Sequence, residues 1–351
     1  MSYRNLEDQI LFALLEEIID IEDAIILASE LPKPTEIFYF RLDIDSFTEQ
    51  SCIKLFRFSQ TEIRMLVDGL SIPNKIKVQE GYVCNAIEGL CIVLRRLCYP
   101  GRWRDLETIF GRSQSSLCTI FLHLADFLTE RHQNILNLDT NRIANNLALY
   151  SNAVHEAGAP LENCWGFIDG TVRPVARPTK GQKIFYNGHK RIHAIKYQAI
   201  MCPDGIIAHC SKAMEGCRHD SAILIHSNIE ETIHGDQRFN GYLLYGDPAY
   251  RQDLDFVIGP YRGVITQEQQ DFNAAMSKHR VCVEWGFGIV LNNWTFMEHK
   301  KPLKVLGTPV GLFYQVAVLL TNCLTCLKGS NQISSHFNLN PPTLNEYLNN
   351  E

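Results

Sequence analysis

The sequence lacks the features that mark an exported or membrane-spanning protein. Its start has no basic segment and no small-residue cleavage site, and it is too acidic for an organelle-targeting peptide. The best candidate for a span, residues 309–327, is interrupted by polar side chains, which favours a buried C-terminal helix. We therefore expect neither export nor contact with a membrane.

A disulfide framework and an overall basic charge are also lacking. The 12 cysteines are scattered along 351 residues, so we expect reduced and mostly buried thiols. The net charge of −6 argues against a protein covered with positive charge for binding nucleic acid. Residues 1–50 hold 12 carboxylates and three cations. Because the acidity is concentrated there, a local basic surface elsewhere is compatible with the composition.

The pattern of apolar residues divides the chain into a helical first part and an α/β second part. Helical periods run through residues 10–27, 82–97 and 117–128, whereas strand-like runs begin after residue 163. Strands followed by helices predict an α/β or α+β domain with its site along one sheet edge. We expect four regions, the last a loosely ordered polar tail: 1–59, 60–150, 160–328 and 329–351.

Residues 104–120 have the spacing of a helix-turn-helix. A short helix is followed by Gly111 at the turn, a serine cap and a second amphipathic helix. Such helix pairs are frequent in helical proteins that never touch DNA. The pattern alone leaves both a DNA-reading element and a structural hairpin open.

Three carboxylates occupy unusual apolar settings. Asp169 and Asp247 each follow a strand-like run and adjoin a glycine, while Glu284 lies inside an apolar helical segment. If these acids converge, their repulsion calls for a divalent cation, basic neighbours or a shared proton. Two Mg²⁺ ions ~4 Å apart on such oxygens can activate a water for attack on a phosphodiester.

Each acid also has an ordinary structural interpretation. Taken singly, Asp169, Asp247 and Glu284 could form a turn, cap a helix or pair with Arg173 or Arg280. Structural ion pairs outnumber active sites, so the functional interpretation depends on the three acids acting together.

Asp220 in the segment GCRHDS, residues 216–221, is a fourth candidate. It could cap a helix that starts there, or it could join the metal site with His219 orienting it or approaching a phosphate. The adjacent His and Asp also fit a metal-dependent phosphohydrolase, although such sites are built on helices with several further histidines.

Residues 171–196 form the strongest local charge asymmetry, with seven Lys or Arg and no acidic residue. They would attract a DNA backbone toward the carboxylates, and Phe185 and Tyr186 could stack on unpaired bases. The alternative is a solvated loop and a strand edge that lysine protects from pairing. The side chains expected to contact DNA are Arg173, Arg177, Lys183, His189, Lys190 and Arg191.

Seven ordered motifs resemble those of the Harbinger transposases of the PIF/Harbinger superfamily and of nucleases derived from them. The motifs are GFIDGT (166–171), YNGHKRIH (186–193), PDGI (203–206), GCRHDS (216–221), GDPAY (246–250), FN (272–273) and RVCVEWGFG (280–288). The resemblance covers residues 160–328, and the helix pair is similar to the helix-turn-helix that precedes the nuclease domain of this family.

The resemblance implies an RNase H-like fold and a metal-dependent DNA endonuclease or transposase of the DDE type. Its catalytic, metal-binding triad carries over onto Asp169, Asp247 and Glu284, and Asp220 is similar to a further metal-associated acid. Mg²⁺ or Mn²⁺ is the implied cofactor, with strand transfer by a DNA 3′-hydroxyl as a second reaction.

The resemblance also implies partners and a location. DNA with terminal inverted repeats, a separate Myb-like DNA-binding protein and further copies of the chain are the implied partners. The nucleus is the implied location, with the cytoplasm as the alternative. A domesticated transposase that binds DNA or a partner without cutting is the alternative function.

Overall fold

The computed structural model describes residues 3–30, 41–250, 254–300 and 303–348. The chain divides into two compact units, Met1–Phe40 and Arg41–Glu351. In the first unit the structure describes α1 (Tyr3–Leu15) and α2 (Ile21–Glu30), which confirms the helical period of this segment.

The second unit begins with helices and one small antiparallel sheet. Its sheet consists of β1 (Lys75–Lys77) and β2 (Val83–Asn85). The amide oxygen of Asn85 accepts a hydrogen bond from the Glu88 backbone and so caps the helix that follows. The helices are α3 (Glu49–Phe56), α4 (Gln60–Gly69), α5 (Ala86–Cys98), α6 (Glu107–Phe110), α7 (Gln114–Arg131), α8 (Gln133–Leu138) and α9 (Thr140–Glu156).

A mixed seven-stranded sheet forms the centre of the second part. The main strand order is β4-β5-β3-β8-β9, and β6 and β7 also pair with β5. β3 is parallel to β8, and β8 to β9, whereas the pairs made by β5 are antiparallel. The strands are β3 (Cys164–Pro174), β4 (Tyr186–Asn187), β5 (Ile192–Met201), β6 (Ile207–Cys210), β7 (Met214–Glu215), β8 (Leu243–Gly246) and β9 (Val257–Ile258).

The remaining α-helices of the described residues follow or interrupt these strands. The long one, α13, has a buried stripe that includes Met276, Val283 and Phe287. β5 and β6 pair antiparallel and form a hairpin around residues 203–205. The helices are α10 (Gln182–Phe185), α11 (Asp220–His226), α12 (Ile229–His234), α13 (Gln267–Asn293), α14 (Val310–Lys328), α15 (Gln332–His336) and α16 (Leu344–Leu348).

Two apolar cores cover the two faces of the large sheet. Because side chains alternate along a strand, Phe167 of β3 packs into one core with α13 and α14, and Ile168 packs into the other with α9 and α11. Helices on both faces of a mixed sheet are consistent with a nuclease-like α/β fold.

The C-terminal residues are more ordered than their composition predicts. Ile333, Phe337 and Tyr347 are buried in the same core as the helices near the start of the second unit. The expectation of a loosely ordered tail is therefore wrong for residues 332–348, because periodic apolar residues among the Asn and Ser anchor the segment.

The apolar helix near the C-terminus is buried, as the sequence predicts. Among the described residues, α14 is the helix that could cross a membrane by length and composition, and 78% of its most apolar window is buried inside the protein. Its two cysteines, Cys323 and Cys326, are free thiols, as are the other ten cysteines.

α6 ends at Gly111, where the sequence predicts the turn of a helix pair, and α7 follows it. Gly111 has a φ of 58° and ends α6, and the Ser113 hydroxyl caps α7. No Lys or Arg lies on α7 before Arg131, and Arg112 at the turn is buried against Glu88. The helix-turn-helix arrangement and its use in reading DNA both stay predictions.

Candidate active site

β3 and β8 bring two of the predicted acids side by side. Ile168 of β3 pairs with Gly246, the last residue of β8, in parallel register, so Asp169 and Asp247 are the residues that follow this pair, with Asp247 just past the end of β8. Residues at equivalent positions of paired strands face the same side of a sheet. β3 does not end before Asp169 as predicted, because its pairing with β5 continues to Pro174.

α13 brings Glu284 to the same face of β3. Arg280 and Glu284 lie one helical turn apart, and the Arg280 guanidinium contacts both Glu284 and Asp169. Nη1 donates a hydrogen bond to Oδ2 of Asp169 at 2.7 Å, and Nη2 donates to Oε1 of Glu284 at 3.3 Å. The Glu284 side chain is 55% exposed, so the predicted apolar surroundings of this acid are wrong.

Asp169 has the most perturbed carboxyl of this group. Burial raises its pKa to about 6, against the lowering effect of the Gly170 backbone N–H and of Arg280. The negative charges of Asp247 and Glu284 raise it further. The negative charges of Asp247 and Glu284 therefore both act on Asp169, and the positive charge of Arg280 acts on it in the opposite sense.

Asp220 lies on the other face of β3. A Cβ on Gly170, whose position alternates with that of Asp169, would meet Oδ1 of Asp220 at 2.9 Å. Nζ of Lys196 donates to the same oxygen at 2.9 Å. Asp220 opens α11 without capping it through its side chain, and the chain's own ammonium group neutralises it.

One buried tyrosine lies near three of the acids. The Tyr250 hydroxyl accepts a hydrogen bond from Nε2 of Gln198 at 3.0 Å. Burial raises the pKa of Tyr250 well above its usual range, and the charges of Asp169, Asp220 and Asp247 add to the effect. Although Asp220 is on the opposite face, it belongs to the same electrostatic neighbourhood as the other two.

His219 does not complete a phosphohydrolase-type site in this arrangement. It is exposed and occupies the cap position of α11 without a side-chain cap hydrogen bond. Its neighbour Asp220 is already paired with Lys196.

The basic segment is mostly solvent-facing. Arg177, Lys183, His189, Lys190 and Arg191 are exposed, the last three at the tip between β4 and β5. Arg173 differs, because it is half-buried and its guanidinium lies 5.9 Å from the ring centre of Tyr314.

The aromatic pair of this segment divides in the same way. Phe185 packs against the core, whereas Tyr186 is 43% exposed beside His193. Of the two rings proposed to stack on bases, Tyr186 is the accessible one.

The donor set suits a hard divalent cation, although the side chains do not surround a shared point. Asp169 and Asp247 supply carboxylate oxygens at equivalent strand positions, and Mg²⁺ commonly binds through one or two carboxylates plus water. Within the part of the chain that the structure describes, no group of three or more His, Cys, Asp or Glu is arranged to hold a metal. The Asp169 and Glu284 oxygens are instead directed at Arg280.

The sequence interpretation missed the roles of two cations. The sequence suggests Arg280 as a salt-bridge partner of single acids. Its four-residue spacing from Glu284 on a helix is a signal for pairing. Lys196 was counted with the basic segment, but it is buried against Asp220. That pairing depends on the register of β5 and carries no local sequence signal.

Comparison with known families agrees with this geometry. Residues 168–322 match the family model of the DDE superfamily endonucleases. The match contains Asp169, Asp247 and Glu284, together with the basic tip between β4 and β5. An endonuclease domain of this superfamily suggests nuclease or transposase activity, implies DNA as the substrate, and is of a kind that typically uses divalent metals. No curated protein and no solved structure matches the chain.

Proposed function

We propose that the protein is a divalent-metal-dependent DNA endonuclease of the Harbinger type, with Asp169, Asp247 and Glu284 as its acidic triad. The observation that carries the proposal is that Asp247 follows the strand beside Asp169, and that Arg280 joins Asp169 to Glu284, inside the segment that matches the endonuclease family. Burial raises the pKa of Asp169, and the negative charges of Asp247 and Glu284 raise it further, which makes this carboxyl a favourable place for a divalent cation.

Asp169 and Asp247 would hold the metal, with Glu284 joining from α13. Bound Mg²⁺ or Mn²⁺, as one ion or as a pair, lowers the pKa of an attacking water and stabilises the departing 3′ oxygen. Burial of Asp169 strengthens its interaction with a cation relative to an exposed carboxylate.

The basic tip would hold the DNA backbone beside these acids. Lys190 and Arg191 are exposed, and Tyr186 beside them presents a ring on which an unpaired base can stack. Such contacts position the strand without reading its sequence. Recognition of the terminal inverted repeats is assigned in this proposal to the α6–α7 pair and to a Myb-like partner.

Transfer of the cut strand to a new site requires two DNA ends in one assembly, so the proposal includes a homo-oligomer. The same proposal includes action in the nucleus, where the DNA is. A DNA 3′-hydroxyl would replace water as the nucleophile in that second reaction.

The test is cleavage of DNA that carries terminal inverted repeats, with Mn²⁺ or Mg²⁺. Nicking by the full chain should fall at least ~100-fold in Asp169→Asn, since the loss of even outer-shell partners of a metal costs 10–100-fold. Asp255→Asn is the matched control, because Asp255 is exposed and pairs with His234 at 2.8 Å, outside the proposed triad. Cleavage that survives Asp169→Asn rejects the assignment.

A domesticated, non-cleaving DNA-binding protein is the second candidate. The observation that favours it is that Arg280 and Lys196 already neutralise Asp169, Glu284 and Asp220 in part. Metal-independent DNA binding without nicking, in wild type and Asp169→Asn alike, would select this candidate. Inverted repeats flanking the coding sequence would favour the mobile element.

A further inference from the structure

Arg280 lies between two of the acids that the proposed function assigns to the metal. Its two terminal nitrogens contact different acids, Asp169 at 2.7 Å and Glu284 at 3.3 Å. The arginine side chain is 23% exposed. It is therefore partly screened from water, and the pair with Asp169 is stronger than a typical surface ion pair.

The contact geometry makes Arg280 a competitor of an ion for both acids. Oδ2 of Asp169 and Oε1 of Glu284 each accept a hydrogen bond from the guanidinium. An ion bound to these two acids would lie close to the guanidinium, and its positive charge would repel Arg280.

We propose that Arg280 is a resident counter-cation that holds Asp169 and Glu284 in place in the metal-free protein and is displaced when the divalent cation binds. This inference rests on the proposed function, because it assumes that the acids are metal ligands. Arg280 is a positioning residue here. Its competition sets the metal affinity of the site and keeps the acids from repelling one another before the metal arrives.

A purely structural brace predicts the opposite effect on metal binding. If Arg280 only oriented Glu284, its removal would loosen a ligand and weaken binding. If Arg280 competes with the ion, its removal frees two carboxylates and strengthens binding. The sign of the change therefore distinguishes the two roles without any measurement of cleavage.

The experiment is calorimetric titration of Mn²⁺ into the full chain without DNA. We expect Arg280→Gln to bind Mn²⁺ about tenfold more tightly than wild type, corresponding to ~1.4 kcal/mol. The Mn²⁺ affinity of Arg280→Lys should lie between those of wild type and Arg280→Gln. An ammonium group also competes with the ion, but its single nitrogen cannot contact the two acids as the two terminal nitrogens of a guanidinium do. Circular dichroism confirms that each variant is folded.

Lys278→Gln is the matched control. Lys278 is exposed on the same helix, two residues before Arg280, so its removal changes the net charge equally. Its effect on Mn²⁺ affinity should be small. A tenfold increase in this variant as well would attribute the effect to general charge and overturn the role of Arg280.

The titrations also separate this inference from the function on which it rests. The titration of each protein is repeated with Asp169→Asn added to it. If Mn²⁺ binding depends on Asp169 but Arg280→Gln binds Mn²⁺ no more tightly than wild type, only the role of Arg280 is overturned. If neither wild type nor Arg280→Gln binds Mn²⁺ in a way that depends on Asp169, the proposed metal site is wrong. This inference then fails with it.

Discussion

Gly170 and Asp220 lie so close together that a methyl group on Gly170 would sit 2.9 Å from Oδ1 of Asp220 and 3.1 Å from its Cγ. Real carbon atoms do not approach that closely, and Asp220 cannot move freely because Lys196 holds it at 2.9 Å. Gly170→Ala is therefore expected to destabilise the protein by ~1–3 kcal/mol. The free energy of unfolding from urea titration measures this loss.

The same clash predicts a non-additive pair of substitutions. Asp220→Ala alone leaves Lys196 buried without its partner and destabilises the protein. Adding Gly170→Ala to that variant should cost less than it does in wild type, because the clashing oxygen is gone. Equal losses in both backgrounds would show that Gly170 is needed for another reason.

Arg112 at the predicted helix turn is expected to support the fold. Its Nε and Nη2 donate to the two carboxylate oxygens of Glu88 at 2.5 and 2.7 Å, and both side chains are almost fully buried. Removing one partner of a buried ion pair leaves the other uncompensated. We expect Arg112→Met to lower the free energy of unfolding by ~3–5 kcal/mol.

Replacing both partners together tests whether the uncompensated buried charge causes the loss of stability. Replacing Glu88 by Leu together with Arg112→Met removes both buried charges, and most of the lost stability should return. If the stability losses of the two single variants simply add in the double variant, the result contradicts an energetic coupling between Glu88 and Arg112. DNA affinity of the double variant should stay near that of wild type if Arg112 serves only the fold.

The exposed cations of the basic segment should control the salt dependence of DNA binding. Each phosphate contact releases counterions, so log K falls with log salt by ~0.9 per contact. The combined replacement of Lys183, Lys190 and Arg191 by Gln should reduce that slope by up to ~2.7. Fluorescence anisotropy with a labelled duplex over a range of salt concentrations measures it.

Lys75→Gln with Lys77→Gln is the control for that experiment. Both lysines are exposed on β1, in the small sheet of the helical part. Their replacement should leave the slope unchanged. An equal reduction in this control would mean that the whole surface, and not the basic segment, contacts the DNA.

The sequence predicted the elements of the site better than it predicted their surroundings. Apolar runs located β3 and β8, and a helical stripe located α13, because burial imposes a regular spacing on side chains. The parallel pairing of Ile168 with Gly246 joins strands about 80 residues apart in the chain. No local pattern specifies that register.

The ion pairs of the site illustrate the same limit. Arg280 and Glu284 are a local pair that helical spacing makes visible, whereas Arg280 reaches Asp169 across 111 residues. The sequence indicates one more surface cation at Lys196, whereas the fold places Lys196 against Asp220. Patterns along the chain identify candidate residues, and tertiary packing decides which of them are neutralised.

Protonation of Asp169 gives the stability of the metal-free protein a particular dependence on pH. The pKa of this carboxyl is raised from 3.8 in its ordinary state to about 6 in the folded protein. Between these values the folded chain binds a proton that the unfolded chain has lost, so stability falls as the pH rises from 4 to 6. The opposite slope would hold for a carboxyl whose pKa is lowered by folding.

Comparison with Asp169→Asn isolates this contribution, because the other titrating groups of the two proteins are the same. With chelator present, wild type should lose up to ~3 kcal/mol relative to the variant between pH 4 and pH 7, since each unit of pKa corresponds to ~1.4 kcal/mol. Urea unfolding of both proteins at several pH values measures the difference. Mn²⁺ added at pH 7 should restore stability to wild type alone, because the ionised Asp169 is then stabilised by a bound cation. A difference that is flat with pH would mean that Asp169 titrates at its ordinary value, and that neither its burial nor the charges of Asp247 and Glu284 raise its pKa.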